Sequence, residues 1–164
     1  MQLIIARLSI RTPQFMPVGK DTPRSNCPIA CTLDLLGDRW TLVVLRDVLL
    51  GQRRLFSEIA ADEGIATNTL TGRLERLTKA GLLERKQDIR DGRSHRYVPT
   101  ERGLELIPVI IELMIWGSKH TSGSVPAELL ARAVGDREAL LSELTEQARN
   151  FDADTAESFV TETE

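Results

Sequence analysis

Apolar positions recur at helical spacing through most of this sequence and switch to a strand-like period only once. In the segment 68–80, Leu70, Leu74 and Leu77 fall within a narrow arc when each residue turns the helix by about 100°. Opposite them lie Asn68, Thr69, Gly72, Arg76 and Lys79, with Arg73 on the flank and Glu75 as the lone acid. Thr67 is placed to cap this helix and Gly81 to stop it. Upstream, Trp40, Leu42, Val43, Val44, Leu45, Val48 and Leu49 surround the axis of a helix over 39–50, bracketed by Asp38 and Gly51. Such a helix belongs at the centre of a core. A helix over 28–37 precedes it, with Cys27 as N-cap and Pro28 in its first position. Between them and the segment 68–80, the polar run Gln52-Arg53-Arg54 and a short helix over 56–61 bearing Ile59 complete the series.

After Gly81 the period changes. Leu82 to Lys86 reads as a strand, Arg90-Asp91-Gly92-Arg93 as a hairpin turn and His95 to Val98 as the return strand. A short helix, a glycine-containing turn, a helix with one polar basic face and then a basic hairpin make a winged helix-turn-helix. Thr100 is placed to cap a last core helix over 101–119, which Pro108 must kink or delay. Leu104, Ile107, Ile111 and Met114 form one stripe of it, and Leu106, Val109, Ile110, Leu113, Ile115 and Trp116 cover much of the rest. A helix apolar nearly all round at a domain's end buries its second side against another subunit, and the helix over 28–37, with stripes Ile29–Leu33–Leu36 and Cys31–Leu35, makes the same demand. The expected architecture is therefore mainly α with a small β wing, a homodimer through the first and last core helices. A flexible leader (1–25, with Pro13, Pro17, Gly19 and Pro23) precedes the domain at 26–120. An acidic extension (121–164) follows, with helices over 126–134 and 137–150, Asp136 capping the second, and a disordered end from 152.

Charge sharpens this picture. The formal net charge is −3, but residues 121–164 hold ten acids against three bases, so the acidity is concentrated in the tail. Residues 85–96 instead gather Arg85, Lys86, Arg90, Arg93, His95 and Arg96. With 164 residues, a core can form without disulfide or metal staples. Cys27 and Cys31 are the only cysteines and His95 and His120 the only histidines, so no metal-ligand spacing arises, and the cysteine usage fits a reducing cytoplasm. No apolar run reaches membrane-spanning length, and the apolar stretch Leu3-Ile4-Ile5-Ala6 lacks the cleavage site of a signal peptide. No glycine-rich phosphate loop or nucleophile–base pattern suggests an enzyme, and no cofactor is called for.

Several ordered motifs resemble those of the HxlR-type winged helix-turn-helix regulators. Cys27-Pro28 followed by Leu35-Leu36-Gly37-Asp38-Arg39-Trp40-Thr41-Leu42 is similar to the start of that family, and Arg54-Leu55-Phe56-Ser57-Glu58-Ile59 to its second signature. The run from Gly64 to Leu74 and Ala80-Gly81-Leu82-Leu83-Glu84-Arg85 look like its recognition helix and first wing strand. Tyr97-Val98-Pro99-Thr100-Glu101-Arg102-Gly103, with Trp116-Gly117, completes a resemblance over roughly residues 26–119. It implies a dimeric bacterial transcription factor, paired through its first and last helices, some of whose relatives sense oxidants or electrophiles through the cysteine at the position of Cys27. The wing segment 88–93 looks closer to MarR-type regulators, and Gly72 stands where a longer polar side chain is common.

Polar residues opposite a leucine stripe are most often plain solvated surface; the turn before and the wing after favour DNA here. Asn68 and Thr69, at the helix N-terminus, are placed to meet base edges, with Thr67, Thr71 and Gly72 beside them. Arg73 and Arg76 are candidate base or phosphate readers and Lys79 a phosphate contact. On the wing, Arg90, Arg93 and His95 suit a minor groove or backbone, whereas Arg85 and Arg96 have a structural alternative on the strands. Arg53 and Arg54 are further phosphate candidates. Cys27 at a helix N-terminus feels the positive end of the dipole, which favours thiolate; the competing reading is a small apolar residue under a dimer seam. The expected function is a sequence-specific DNA-binding regulator, of repressor type, on a pseudo-palindromic operator, nucleoid-associated and open to a small-molecule or oxidant effector. The alternative is a winged-helix protein-interaction module without specific DNA binding.

Overall fold

The computed structural model describes residues 25–88 and 91–161; the leader 1–24 and Arg90 lie outside them. The chain divides into two compact units, the first ending at Leu35 and the second beginning at Leu36. In the described part of the first unit is α1 (Pro28–Leu36, its last residue in the second unit). Cys27 is its cap residue, as the sequence predicts: its carbonyl accepts from Cys31 N at 3.0 Å and Pro28 opens the helix. Ile29 and Leu33 are 71% and 55% exposed, so one apolar stripe of α1 is uncovered.

The second unit is built around α2 (Thr41–Leu49), whose Val44, Leu45, Val48 and Leu49 are fully buried. It touches α3 (Thr67–Lys79), a two-stranded antiparallel sheet of β1 (Leu83–Gln87) and β2 (His95–Pro99), and the helices α5 (Ile107–His120) and α7 (Arg137–Thr161). The strands pair from Leu83 opposite Pro99 to Gln87 opposite His95. Leu70, Leu74 and Leu77 of α3, Leu82, Leu83 and Val98 of the hairpin, and Ile107 and Ile111 of α5 close the core.

The segment 56–61 is not the expected helix. It is a series of turns, followed by a 3₁₀ turn, Ala61–Glu63. Its backbone is claimed from outside. Leu55 bridges Arg96 and the Arg54 carbonyl accepts from Tyr97 N, which ties the segment's start to β2. At its end the buried Asp47 carboxylate accepts from Ala60 N at 2.7 Å, with Ala60 held at φ 55°. A regular helix cannot satisfy both anchors.

The last core helix begins late, as Pro108 requires. Thr100 caps a single turn, α4 (Glu101–Leu104), by accepting from Gly103 N, and α5 starts afresh with Pro108 in its first turn. Gly103 permits this turn because a Cβ there would collide with the Leu82 carbonyl. Ile107, Ile110 and Ile111 face inward, whereas Val109, Leu113 and Trp116 are 44%, 47% and 60% exposed.

The segment after residue 120 belongs to the second unit. α6 (Ala127–Gly135) and α7 (Arg137–Thr161) sit where helices are expected, but α7 continues past Asn150 over the acidic stretch read as disordered. α7 packs on α2, α4, α5 and β2, burying Leu140 and Ala148.

Candidate nucleic-acid interface

α3 presents its polar face as the sequence predicts. Thr67, Asn68, Thr71 and Lys79 are exposed; Thr69, Gly72, Arg73 and Arg76 are half-buried. Thr67 is not the cap. Ala66 occupies that position with no side-chain hydrogen bond, and Thr67 is the first helical residue, its carbonyl accepting from Thr71 Oγ1 at 2.9 Å. The first-turn N–H groups of α3 therefore have no capping side chain, leaving a positive helix end beside Asn68. At Gly72 an added Cβ would meet nothing within 4 Å, so the helix surface there is open to a close-approaching ligand.

Arg73 is anchored across the helix pair. Its Nε donates to Asp38 Oδ1 at 2.6 Å, and Arg76 Nη1 lies 4.0 Å from Asp38 Oδ2. The same carboxylate holds the turn that leads into α2: Oδ1 accepts from Trp40 N and Thr41 N at 3.0 and 3.2 Å, and Oδ2 from Thr41 Oγ1, while Trp40 is the cap residue and has no side-chain cap bond. Asp38 is expected to be the cap residue of this helix; that position falls to Trp40, and nothing in the sequence spacing announces the bond between Asp38 and a residue 35 positions away. Burial pushes its pKa up, and the bonds from Thr41, Arg73 and Trp40 N outweigh that, holding the carboxyl below the ordinary Asp value.

The wing is longer than a two-residue Asp-Gly hairpin. Its strands close through the Asp88 N to Ser94 carbonyl bond, so the connecting loop takes in the residues between. Asp91 organises the tip, accepting from Arg93 N at 3.0 Å and Ser94 Oγ at 2.7 Å, while Gln87 Nε2 donates to the Gly92 carbonyl. These bonds hold the backbone of residues 91–94 and leave Arg93 and His95 exposed. Between α3 and the hairpin runs a groove of about 500 Å³ lined by Phe56, Thr71, Lys79, Arg85 and Tyr97 among others. Arg85, read as a possible strand residue, is exposed on it.

Arg54 is not a phosphate contact. It is 1% exposed; Nη2 donates to the Ala148 carbonyl at 2.9 Å, Nη1 to the Val48 carbonyl, and the guanidinium lies 5.0 Å over the Phe151 ring. Arg96 is also buried, 5.9 Å from the same ring. Arg54, a phosphate candidate by sequence, and Arg96, for which a structural place on the strand is the stated alternative, thus both lie against α7. Arg53 is spent on Asp47 and Asp62, at 3.3 and 2.5 Å.

Cys27 is exposed, and Cys31 donates its thiol to the Ser25 carbonyl at 3.1 Å. Among the described residues no group of three or more His, Cys, Asp or Glu could hold a metal, and no helix is long and apolar enough to cross a membrane.

A helix with an uncapped, polar N-terminal turn, seated on a core helix and flanked by a basic hairpin, defines a winged helix-turn-helix protein. The chain belongs to the HxlR-like helix-turn-helix family, which it matches over residues 35–124. It is 41% identical over 88 residues to an uncharacterized HTH-type transcriptional regulator of Mycobacterium tuberculosis, covering 54% of this chain and 55% of that protein. With a similar regulator of Synechocystis it shares 38% identity over 92 residues, 56% of this chain and 68% of that one. The chain thus matches only about half the length of the mycobacterial relative. The crystal structure of PA1607 superposes with a TM-score of 0.56 at 27% identity, covering 63% of this chain and 72% of that one.

Proposed function

We propose that this chain is a sequence-specific DNA-binding transcriptional regulator, a repressor in its resting state, acting as a homodimer in the cytoplasm on nucleoid DNA. The observation that carries the reading is the surface of α3, where Asn68, Thr69 and Arg76 share one open face beside a wing that offers Arg93 and His95. Asn68 and Thr69, on the first turn, are the base-reading residues, since Asn pairs bidentately with adenine. Thr67, Thr71 and Gly72 let the helix approach closely, and Arg76 reads a base or phosphate. Lys79, Arg93 and His95 hold the backbone, each adding affinity without sequence information. Two such helices, one per protomer, read half-sites about 34–36 Å apart on a pseudo-palindromic operator.

Support for pairing comes from the exposed stripe Val109–Leu113–Trp116 of α5 and the exposed Ile29 and Leu33 of α1. Cys27, exposed at a helix N-terminus, is the candidate oxidant or electrophile sensor. A Cys27→Ser protein is expected to bind DNA normally and to lose its response to a thiol oxidant.

The deciding experiment is an anisotropy titration of reduced protein against duplexes tiled from its own upstream region, with random competitor and a salt series. One tight tile, weakened by Asn68→Ala, supports the reading. Absence of binding to any duplex at low salt overturns it in favour of an interaction module.

A further inference from the structure

The acid at position 38 faces the DNA-reading helix and is bonded to it. One carboxylate receives the N–H groups of Trp40 and Thr41, the Thr41 hydroxyl and Arg73 Nε, with Arg76 at 4.0 Å. Its side chain is 22% exposed, and those of Arg73 and Arg76 are 28% and 38%, so the cluster lies at the rim of the interface rather than in the core. Holding the turn before α2 needs none of this: the bonds from Trp40 N and Thr41 N call only for an acceptor oxygen, and a neutral Asn would supply one as well. The charge is surplus to that task. It neutralises an arginine on a face whose proposed partner is a polyanion, which lowers affinity for DNA as such.

From this bonding we infer that Asp38 is a specificity-determining positioning residue: it engages Arg73 so that this guanidinium is withheld from indiscriminate phosphate contact and held in one orientation over α3. The inference rests on the DNA-binding reading above. On random DNA, binding is almost wholly electrostatic, and every mobile arginine adds to it. At an operator, base contacts from Asn68 and Arg76 fix the register, and a tethered Arg73 costs little there. Holding Arg73 therefore suppresses random binding more than specific binding, and the ratio between them rises.

The test is Asp38→Asn, which keeps a capping oxygen and removes the charge. Its random-duplex affinity is expected to rise about three- to tenfold near physiological salt, and the slope of log affinity against log salt to steepen by about 0.9, one phosphate contact. The operator-to-random ratio falls correspondingly. In the double variant Asp38→Asn/Arg73→Gln the gain disappears, because the released group is gone. A readout without DNA accompanies these: the Arg73 Nε–H resonance of the free wild-type protein exchanges slowly with water, and in Asp38→Asn it exchanges like an exposed arginine.

The inference is overturned if random affinity and salt slope stay unchanged in Asp38→Asn. It is equally overturned if operator and random affinity fall together in step with a lower Tm, the result of a cap and nothing more. A fast-exchanging Arg73 Nε–H in the wild type sinks it even where DNA binding is sound. Wild-type protein that binds no duplex at all, with Arg73 slow to exchange, removes the DNA reading rather than the bond, so the two failures are told apart.

Discussion

Arg54 carries a charge into a place where charge is costly, and its surroundings answer that cost with two backbone carbonyls and an aromatic face. Replacing it with Ala leaves the Val48 and Ala148 carbonyls without that donor and opens a void between α2 and α7. The expected loss is about 2–4 kcal/mol of unfolding free energy, read by urea denaturation, with DNA affinity per folded molecule unchanged. A fall in DNA affinity without loss of stability would return Arg54 to the interface. Asp38 makes a prediction of a different kind. Its folded pKa lies below its unfolded value, so the carboxylate's contribution is complete above about pH 4 and is lost as acid titrates the folded group. Asp38→Asn is expected to flatten the dependence of stability on pH below about 4, measured as Tm across an acid series, and to leave the slope near neutrality alone. At this scale some local roles were legible, since Cys27 and Thr100 cap the helices that follow them and Pro108 opens one, whereas the caps of α2 and α3 fall to Trp40 and Ala66 rather than to Asp38 and Thr67. It was illegible where a side chain answers a distant backbone. Nothing in Arg53-Arg54 distinguishes the arginine paired with Asp47 and Asp62 from the one buried under Phe151.

Among the elements, those with a long apolar period were found in place and those defined by tertiary anchors were not. The stripe Leu70–Leu74–Leu77 fixed both the existence and the facing of α3. The short helix over 56–61 failed because Tyr97 N and the Asp47 carboxylate hold its two ends in other conformations. The wing tip was read as a tight Asp-Gly turn, and the Asp91 carboxylate, bonded to Arg93 N and Ser94 Oγ, builds a longer loop instead. α7 offers the sharpest test at this scale. Its seat on α2, α4, α5 and β2 makes it part of the domain, and Leu140, 1% exposed, is its main apolar anchor. Leu140→Ala is expected to cost about 2–5 kcal/mol. If α7 were an independent tail, chemical denaturation of this variant would overlay the wild type.

For the whole molecule, the feature that the second unit leaves unsatisfied is the stripe Val109–Leu113–Trp116, three large apolar side chains at i, i+4 and i+7 on α5. Trp116→Glu places a charge in the middle of the proposed pairing surface. Sedimentation is expected to show dimer for the wild type and monomer for the variant, with operator affinity falling by orders of magnitude because two half-sites are no longer read together. A variant that still sediments as a dimer would move the pairing surface elsewhere. The general architecture, mainly helical with a small hairpin, followed from the helical period of the longer segments together with the Asp-Gly turn signal between two short strands. The helical spacing of Leu140, Leu144 and Ala148 marks an apolar face on the acidic segment, but neither spacing nor charge says that this face packs on α2, α4, α5 and β2.

The hydrogen bond from Arg54 to the carbonyl of Ala148 joins positions 94 apart in the chain. During synthesis, which proceeds at about 5–20 residues per second, α2, α3 and the wing emerge seconds before the partner they need. Over that interval a buried-type guanidinium and the apolar face of α2 await a helix not yet made. A chain that stops between α3 and residue 148 leaves Arg54 and the apolar face of α2 without that cover. Such a fragment is expected to be less stable, and to be proteolysed faster, than a chain that includes α7. For all the acidity of its outer face, α7 is thus expected to set the lifetime of the fold that it closes.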